Sequence, residues 1–346
     1  MTEPRAAIVE LTLARFRMFF REPSAVFWTF GFPVLLSIAL GAAFRNRPPE
    51  AVSVAIEAGP GARRLFDELA AAPNDVKAKI ESPDDAGKDL RTGKALLVIV
   101  PGGTREYRFD DTRPQARLAR AIVDDHLQRA EGRRDVTPST DAHVTERGTR
   151  YIDFLIPGLI GLNLMSSSMW GIGYLIVEMR TRKLITRMLA TPMRRSDFLL
   201  SFVLMRSLFV LLEVPVLLLF GRLAFDVRVM GSSVLVLALS VMGALTFAGL
   251  GLLVASRARN TQTVGGLMNV VMMPMFVGSG VFFAATNFPE SVQPALRALP
   301  LTVLNDALRA VVNEGADLRQ MARPLAVLSA WALVSFAGAL KLFRWS

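Results

Sequence analysis

Cysteine is absent from all 346 residues. That single absence removes disulfide frameworks, thiolate metal sites and cysteine nucleophiles together. Histidine is nearly absent: only His126 and His143 occur, both in a polar region, too few for a multi-histidine metal centre. A phosphate-binding loop of the form G-x-x-x-x-G-K-[ST] is also missing. Gly87-Lys88-Asp89 and Gly93-Lys94-Ala95 lack both the loop spacing and the hydroxyl that would hold magnesium. No recognisable machinery for hydrolysing ATP is therefore present, no cofactor is expected on this chain, and any energy from ATP must arrive through a partner. The chain is not expected to be an enzyme.

What is present is apolar and basic. Hydrophobic residues make up 52% of the chain and the mean hydropathy is +0.38. They fall in long blocks rather than in alternation. A crossing needs about 20 predominantly apolar residues, and six stretches qualify: 24–44, 154–177, 198–220, 231–255, 264–285 and 325–342. The predicted fold is a polytopic α-helical membrane protein of six transmembrane helices, with a small α/β domain inserted after the first. The net charge of +10 could serve nucleic acid. Yet 14 basic residues sit beside spans, in loops assigned to the inside, so the membrane surface accounts for them and no nucleic-acid partner is expected.

Orientation follows from the bias of positive charge toward the cytoplasm. Arg5, Arg15, Arg17 and Arg21 precede the first span, Arg257 and Arg259 follow the fourth, and Lys341 and Arg344 close the chain. Both termini are predicted inside and residues 46–150 outside, in a cell (inner or plasma) membrane. The first apolar run is longer than the centre of a cleaved signal and is read as a retained anchor. Ahead of it, residues 1–22 form an interfacial amphipathic helix. Val9, Leu13, Phe16 and Phe20 share one face with Arg17 and Arg21 opposite, and Pro23 marks the bend into the bilayer.

Residues 46–150 change character: charged, proline-containing, without a spanning run. Strands are predicted over 52–56 and 95–100, weaker ones over 76–80 and 106–109, and helices over 61–72 and 113–129. The acidic pairs Asp84-Asp85, Asp110-Asp111 and Asp124-Asp125 read as caps and solvated faces rather than a catalytic set. The region reads as a contact surface or exit vestibule.

Between the second and third spans lies Glu178 to Phe198, carrying Arg180, Arg182, Lys183, Arg187, Arg194 and Arg195. Leu184, Ile185, Met188 and Leu189 recur there at helical spacing. A basic amphipathic helix over 179–191, stopped at Thr191-Pro192, would dock onto a soluble partner inside the cell.

Inside the spans, Arg206 and Glu213 lie seven residues apart, roughly on one face. They either belong to a translocation path, or Arg206 snorkels inward while Glu213 bonds to a neighbouring helix. Asn163 and Ser167 share a face, either lining a path or joining helices; Asn269 and Pro274 in the fifth span join this candidate set. Ala244, Ala248, Gly251 and Ala255 suit close packing. An outer hairpin over 287–313 carries Pro289 and Pro300. Its amphipathic part sets Leu301, Leu304, Leu308 and Val312 against Asn305, Asp306, Arg309 and Asn313.

In this order the pieces resemble the membrane subunits of type-2 ATP-binding-cassette exporters, in the branch with a large outside domain between the first two spans. The resemblance rests on the N-terminal interfacial helix, on Glu178-Met-Arg-Thr…Met188-Leu-Ala-Thr-Pro192, and on Pro289…Pro300-Leu-Thr…Asp306-Ala-Leu-Arg309, and covers essentially the whole chain. Family members often have Gly-Thr after the inner acidic residue; here Arg180-Thr181 keeps only the Thr, and the next position, usually acidic, is basic. The resemblance implies two permeases, identical or sister chains, with two ATPase subunits that hold ATP and Mg. It implies coupling through Glu178, Arg180, Thr181, Leu184, Ile185, Met188, Leu189, Thr191 and Pro192. A ligand sensor or an ATP-independent secondary transporter are the alternatives, although no inside segment is long enough for an output module.

Overall fold

The computed structural model describes residues 7–44, 51–71, 76–134, 137, 150–189, 195–282 and 288–342. The chain divides into two compact units: Asn46–Val144, and the remainder, Met1–Arg45 with Thr145–Ser346.

The smaller unit is an α/β layer structure. Strands β1 (Val52–Glu57), β2 (Val76–Glu81), β3 (Leu97–Val100) and β4 (Glu106–Arg108) form one sheet in the order β2-β1-β3-β4. β1 runs parallel to β2 and β3, while β4 is antiparallel to β3. Helices α4 (Ala62–Ala70), α5 (Pro83–Thr92) and α6 (Pro114–Ala130) cover it. Ile56, Leu97 and Ile99 pack with Leu69 of α4 and Val123 and Leu127 of α6. Ala55 and Val98 meet Ala86 of α5 in a separate cluster. A sheet covered on both faces needs apolar residues in succession, which is why β1 and β3 read as continuous runs.

The sequence reading finds each of these strands and misses α5. The signals for it are local: Ser82 accepts from the Asp85 amide, Pro83 follows at the first helical position, and Gly93 closes the helix at φ 75°. Asp84 and Asp85 sit in its first turn, where the helix dipole favours carboxylates. Asp110 is tied by the Thr112 hydroxyl and amide, which hold its carboxyl below the ordinary range. Asp125 accepts from Arg129 at 2.7 Å.

The larger unit is helical. α1 (Ala7–Phe20) is followed by α2 (Pro23–Val26), a π-helical turn over Phe27–Gly31, and α3 (Phe32–Phe44). α7 (Tyr151–Ser168) runs through a second π-helical turn (Met169–Tyr174) into α8 (Leu175–Thr181); α9 (Leu184–Leu189) is short. Then come α10 (Arg195–Phe225), α11 (Ser233–Ala255), α12 (Thr261–Gly278), α13 (Gln293–Ala298), α14 (Pro300–Glu314) and α15 (Ala322–Leu342).

Four helices are long and apolar enough to cross a membrane among the described residues: Tyr151–Thr181, Ser201–Phe225, Ser233–Ala255 and Ala322–Leu342. The other two predicted crossings correspond to the shorter apolar helix Phe27–Ala42 and to α12, which has 18 residues but is less apolar than the four. At 1.5 Å per residue α12 reaches about 27 Å, just under a hydrocarbon core of about 30 Å. The chain is a multi-pass helical membrane protein.

α11 is the most enclosed of the four long helices, with 67% of its apolar window buried, against 22% for α15. Its small residues permit this. Ala244, Ala248, Gly251 and Ala255 are all buried, and a Cβ on Gly251 would stand 3.0 Å from the backbone of Met169. Close approach of this kind is what small-residue spacing in spans provides.

Candidate functional site

The inner segment departs from its prediction. The second-span helix does not end near residue 177; it continues through Glu178, Arg180 and Thr181. The chain then turns at Arg182 and Lys183, where Lys183 takes the left-handed conformation (φ 55°). That conformation cannot propagate a right-handed helix. The single helix expected over 179–191 is therefore two pieces set apart by a turn, and only Leu184–Leu189 forms the second. Arg182, Lys183, Leu184 and Arg187 are exposed, whereas Ile185 is buried in the core of the membrane unit. Ile185 thus anchors α9 instead of joining an outward stripe. The Met188 and Leu189 side chains, and Thr191 and Pro192 altogether, lie outside the described residues.

Two contacts brace the turn. Arg182 pairs with Glu178 at 2.7 Å, one helical turn back. The Arg180 guanidinium donates to the carbonyls of Ala255 (3.1 Å) and Ala258 (3.0 Å) at the C-terminal end of α11. Helix C-termini carry carbonyls without amide partners and attract cations. Arg180 is accordingly a strut from the root of α9 to the most enclosed helix. The sequence marks it as basic but not as a cap.

α1 packs on α10 through residues on and beside the predicted face. Phe16 and Phe20 of that face stack on Phe209 of α10 with centroids at 5.3 and 6.1 Å, and Phe19 lies tilted against the same ring at 4.3 Å. Val9 and Phe20 are exposed, Leu13 is half-buried, and Arg17 and Arg21 are exposed. Burial is decided by Phe209, a partner far along the chain, and Phe19 is the residue the periodicity missed. Pro23 stands at the first helical position of α2, as the predicted bend requires.

Arg206 and Glu213 neither snorkel nor seek separate partners. They form a bidentate pair within α10, at 2.8 and 2.9 Å, and Arg206 Nε donates to Ser168 Oγ of α7 at 2.7 Å. Arg206 is 6% exposed and Glu213 1%. Charges in a span are sustained by pairing of this kind. Asn163 donates from Nδ2 to the Thr29 carbonyl in the first π-helical turn (3.3 Å), and Ser167 Oγ donates to the Asn163 carbonyl.

These residues border one half-open cavity of about 710 Å³, lined by residues of α1, the two π-helical turns, α3, α7 and α10 and by Phe276 of α12. Asn163, Ser167, Arg206 and Glu213 are brought together there. Asn269 and Pro274 are not among its lining residues; both are exposed on α12. The cavity's two tryptophans, Trp28 and Trp170, were not anticipated as wall residues.

The outer hairpin is also corrected in one respect. Leu301, Leu304, Leu308 and Val312 are fully buried as the amphipathic pattern requires. Their polar counterparts, however, serve the protein more than solvent. Pro157 inside α7 has no amide to give the Asp153 carbonyl four residues earlier, and Asn313 Nδ2 donates to that carbonyl at 3.0 Å. Arg309 Nε donates to the Phe154 carbonyl (3.1 Å), its guanidinium lies 3.5 Å from the Phe154 ring centroid, and a second nitrogen reaches the Gly280 carbonyl. Asn305, fully buried, donates to the Ser279 carbonyl. Gly158 and Gly161 make room: a Cβ at Gly161 would lie 1.9 Å from Asn305 Oδ1. Asp306 stays exposed, Pro289 is exposed and Pro300 buried.

Comparison with known proteins gives two findings. Residues 23–341 match the model of a family described as ABC-2 family transporter protein. The chain is also similar to the linearmycin resistance permease protein LnrN of Bacillus subtilis (strain 168). The two are 25% identical over 179 residues, which is 51% of this chain and 46% of that relative; the match thus spans less than half of the relative's length.

Proposed function

The chain belongs to the ABC-2 transporter family, and from that premise we propose that it is the permease subunit of an ATP-driven exporter. In this reading a substrate is taken from the cytoplasm or inner leaflet and released outside. The two shorter apolar helices complete six crossings in the assembled complex. Both termini face the cytoplasm, and residues 46–150 lie outside, in the cell membrane. Two permeases, identical or sister chains, work with two ATPase subunits that carry ATP and Mg.

One observation carries the coupling part. α9 is a short helix that exposes Leu184 and Arg187 and whose root is held to the end of α11 by Arg180. A push on Leu184–Leu189 from an ATPase would reach the most enclosed span through two charge-assisted hydrogen bonds, a rigid linkage for its size. α1 offers a second contact, since Phe16 and Phe19 grip Phe209 on the third span.

Purification of the tagged chain from its native membrane tests the reading. An ATPase subunit should co-purify, and the reconstituted complex should hydrolyse ATP. Transport by the chain alone, without nucleotide, would favour the secondary-transporter alternative instead.

A further inference from the structure

We propose that the cavity bordered by Arg206 and Glu213 binds an uncharged amphiphile, with its apolar body against the aromatic wall and a hydroxyl or amide at the polar end. Three observations lead there. The volume of about 710 Å³ lies within the range of small-molecule sites, and the lining is mostly aliphatic and aromatic, with a minority of polar groups: Asn163, Ser166, Ser167, Arg206 and Glu213 on α7 and α10, and Glu22 and Thr29 elsewhere.

Next, both π-helical turns of the described chain, Phe27–Gly31 and Met169–Tyr174, contribute to this one cavity. π-Helical turns account for well under 1% of residues in proteins and concentrate at functional sites. Two of them on one cavity is a second, independent mark of a site. Each brings a tryptophan, Trp28 and Trp170, to the wall.

The charge of the ligand follows from the ion pair. Arg206 and Glu213 satisfy each other bidentately, so this buried pair presents no net charge; the remaining ionisable lining group, Glu22, is exposed and accepts from Ser24 Oγ. A cationic or anionic head would have to separate that pair in a low-dielectric setting, whereas a hydroxyl or amide can bond beside it. Ser166 and Asn163 on α7 are placed along the same wall to receive it. The ligand's onward passage across the membrane rests on the permease reading; its binding does not.

The test uses the full chain in phosphatidylcholine nanodiscs, without ATPase or nucleotide, so that its result is independent of ATPase assembly. Nile red, an uncharged apolar fluorophore, is titrated and energy transfer from tryptophan is recorded. Two of the four tryptophans border the cavity, so a saturable signal is expected and should be largely lost when Trp28→Phe and Trp170→Phe are combined. Gly171→Leu should weaken binding about tenfold or more. A Cβ at Gly171 meets nothing within 4 Å, so the longer side chain enters the cavity without displacing backbone. Ser166→Leu, from another stretch of the wall, should do the same, and thermal midpoints report whether either variant is misfolded. Cationic rhodamine 6G and anionic anilinonaphthalene sulfonate should bind at least tenfold more weakly than Nile red. Displacement of Nile red by diacylglycerol would identify a bilayer lipid as the source of the amphiphile; retention would identify a non-lipid small molecule. Linear, unsaturable partitioning that neither filling variant alters would overturn the proposal, as would tighter binding of either charged probe.

Discussion

Glu213→Ala is expected to lower the stability of the membrane unit by about 3–5 kcal/mol, the usual cost of removing one partner from a buried ion pair. The carboxylate takes both terminal nitrogens of Arg206 at 2.8 and 2.9 Å and is 1% exposed. Without it the guanidinium keeps only Ser168 and remains inside the unit with an uncompensated charge. Against a typical total of about 5–15 kcal/mol, such a loss should show as a large drop in thermal midpoint and in the amount of protein recovered from membranes. The double replacement Arg206→Met with Glu213→Leu removes both charges and should recover most of the loss, because pairs of this kind seldom stabilise more than apolar residues of similar volume. Equal damage from single and double replacements would show that the side chains matter for shape rather than for mutual neutralisation.

Leu184→Asp combined with Met188→Asp is expected to uncouple ATP hydrolysis from transport while leaving the protein inserted. Leu184 is exposed on α9 and contributes little to the fold, so its loss should barely move the thermal midpoint. In the proposed complex it meets an apolar groove on the ATPase. Burying an apolar side chain of this size stabilises a contact by about 1.5–3 kcal/mol, and a carboxylate placed there adds a desolvation cost. Affinity between the chains should fall by roughly a hundredfold or more. Basal ATP hydrolysis should persist, its stimulation by substrate should vanish, and efflux should fall to background. Normal efflux by this variant would remove α9 from the coupling path.

Much of this architecture is legible in the sequence, because long apolar blocks and short apolar strand runs are one-dimensional signals. Four of the predicted span positions, the strands of the α/β unit and the burial of Leu301, Leu304, Leu308 and Val312 all come from such patterns. α5 escapes because it buries only Ala86 and so shows no apolar stripe, although Ser82, Pro83 and Gly93 mark its ends. The break before α9 escapes for a different reason: Lys183 takes a left-handed conformation that glycine or asparagine would have announced.

The site residues show the same division. The seven-residue spacing of Arg206 and Glu213 predicts a shared face, yet which partner each would choose depends on the rotamers of α10 and on Ser168, 38 positions away. Asn313 illustrates a signal that was present but unread. Pro157 in an apolar helix leaves a carbonyl in need of a donor, and the donor stands 160 residues from Asp153. Asn269 and Pro274 were grouped with the path as residues of the fifth span; both are exposed on α12 and neither lines the cavity.

Because the chain has no cysteine of its own, a single cysteine at Leu184 reports on one place only. Cross-linking that cysteine to the co-expressed ATPase in inverted membrane vesicles should yield a product of one permease joined to one ATPase, and impermeant maleimide should label it in inverted vesicles but not in intact cells. Labelling at position 184 from outside the cell, with cross-links to the ATPase arising instead from a cysteine placed at Arg91 in the α/β unit, would contradict the account.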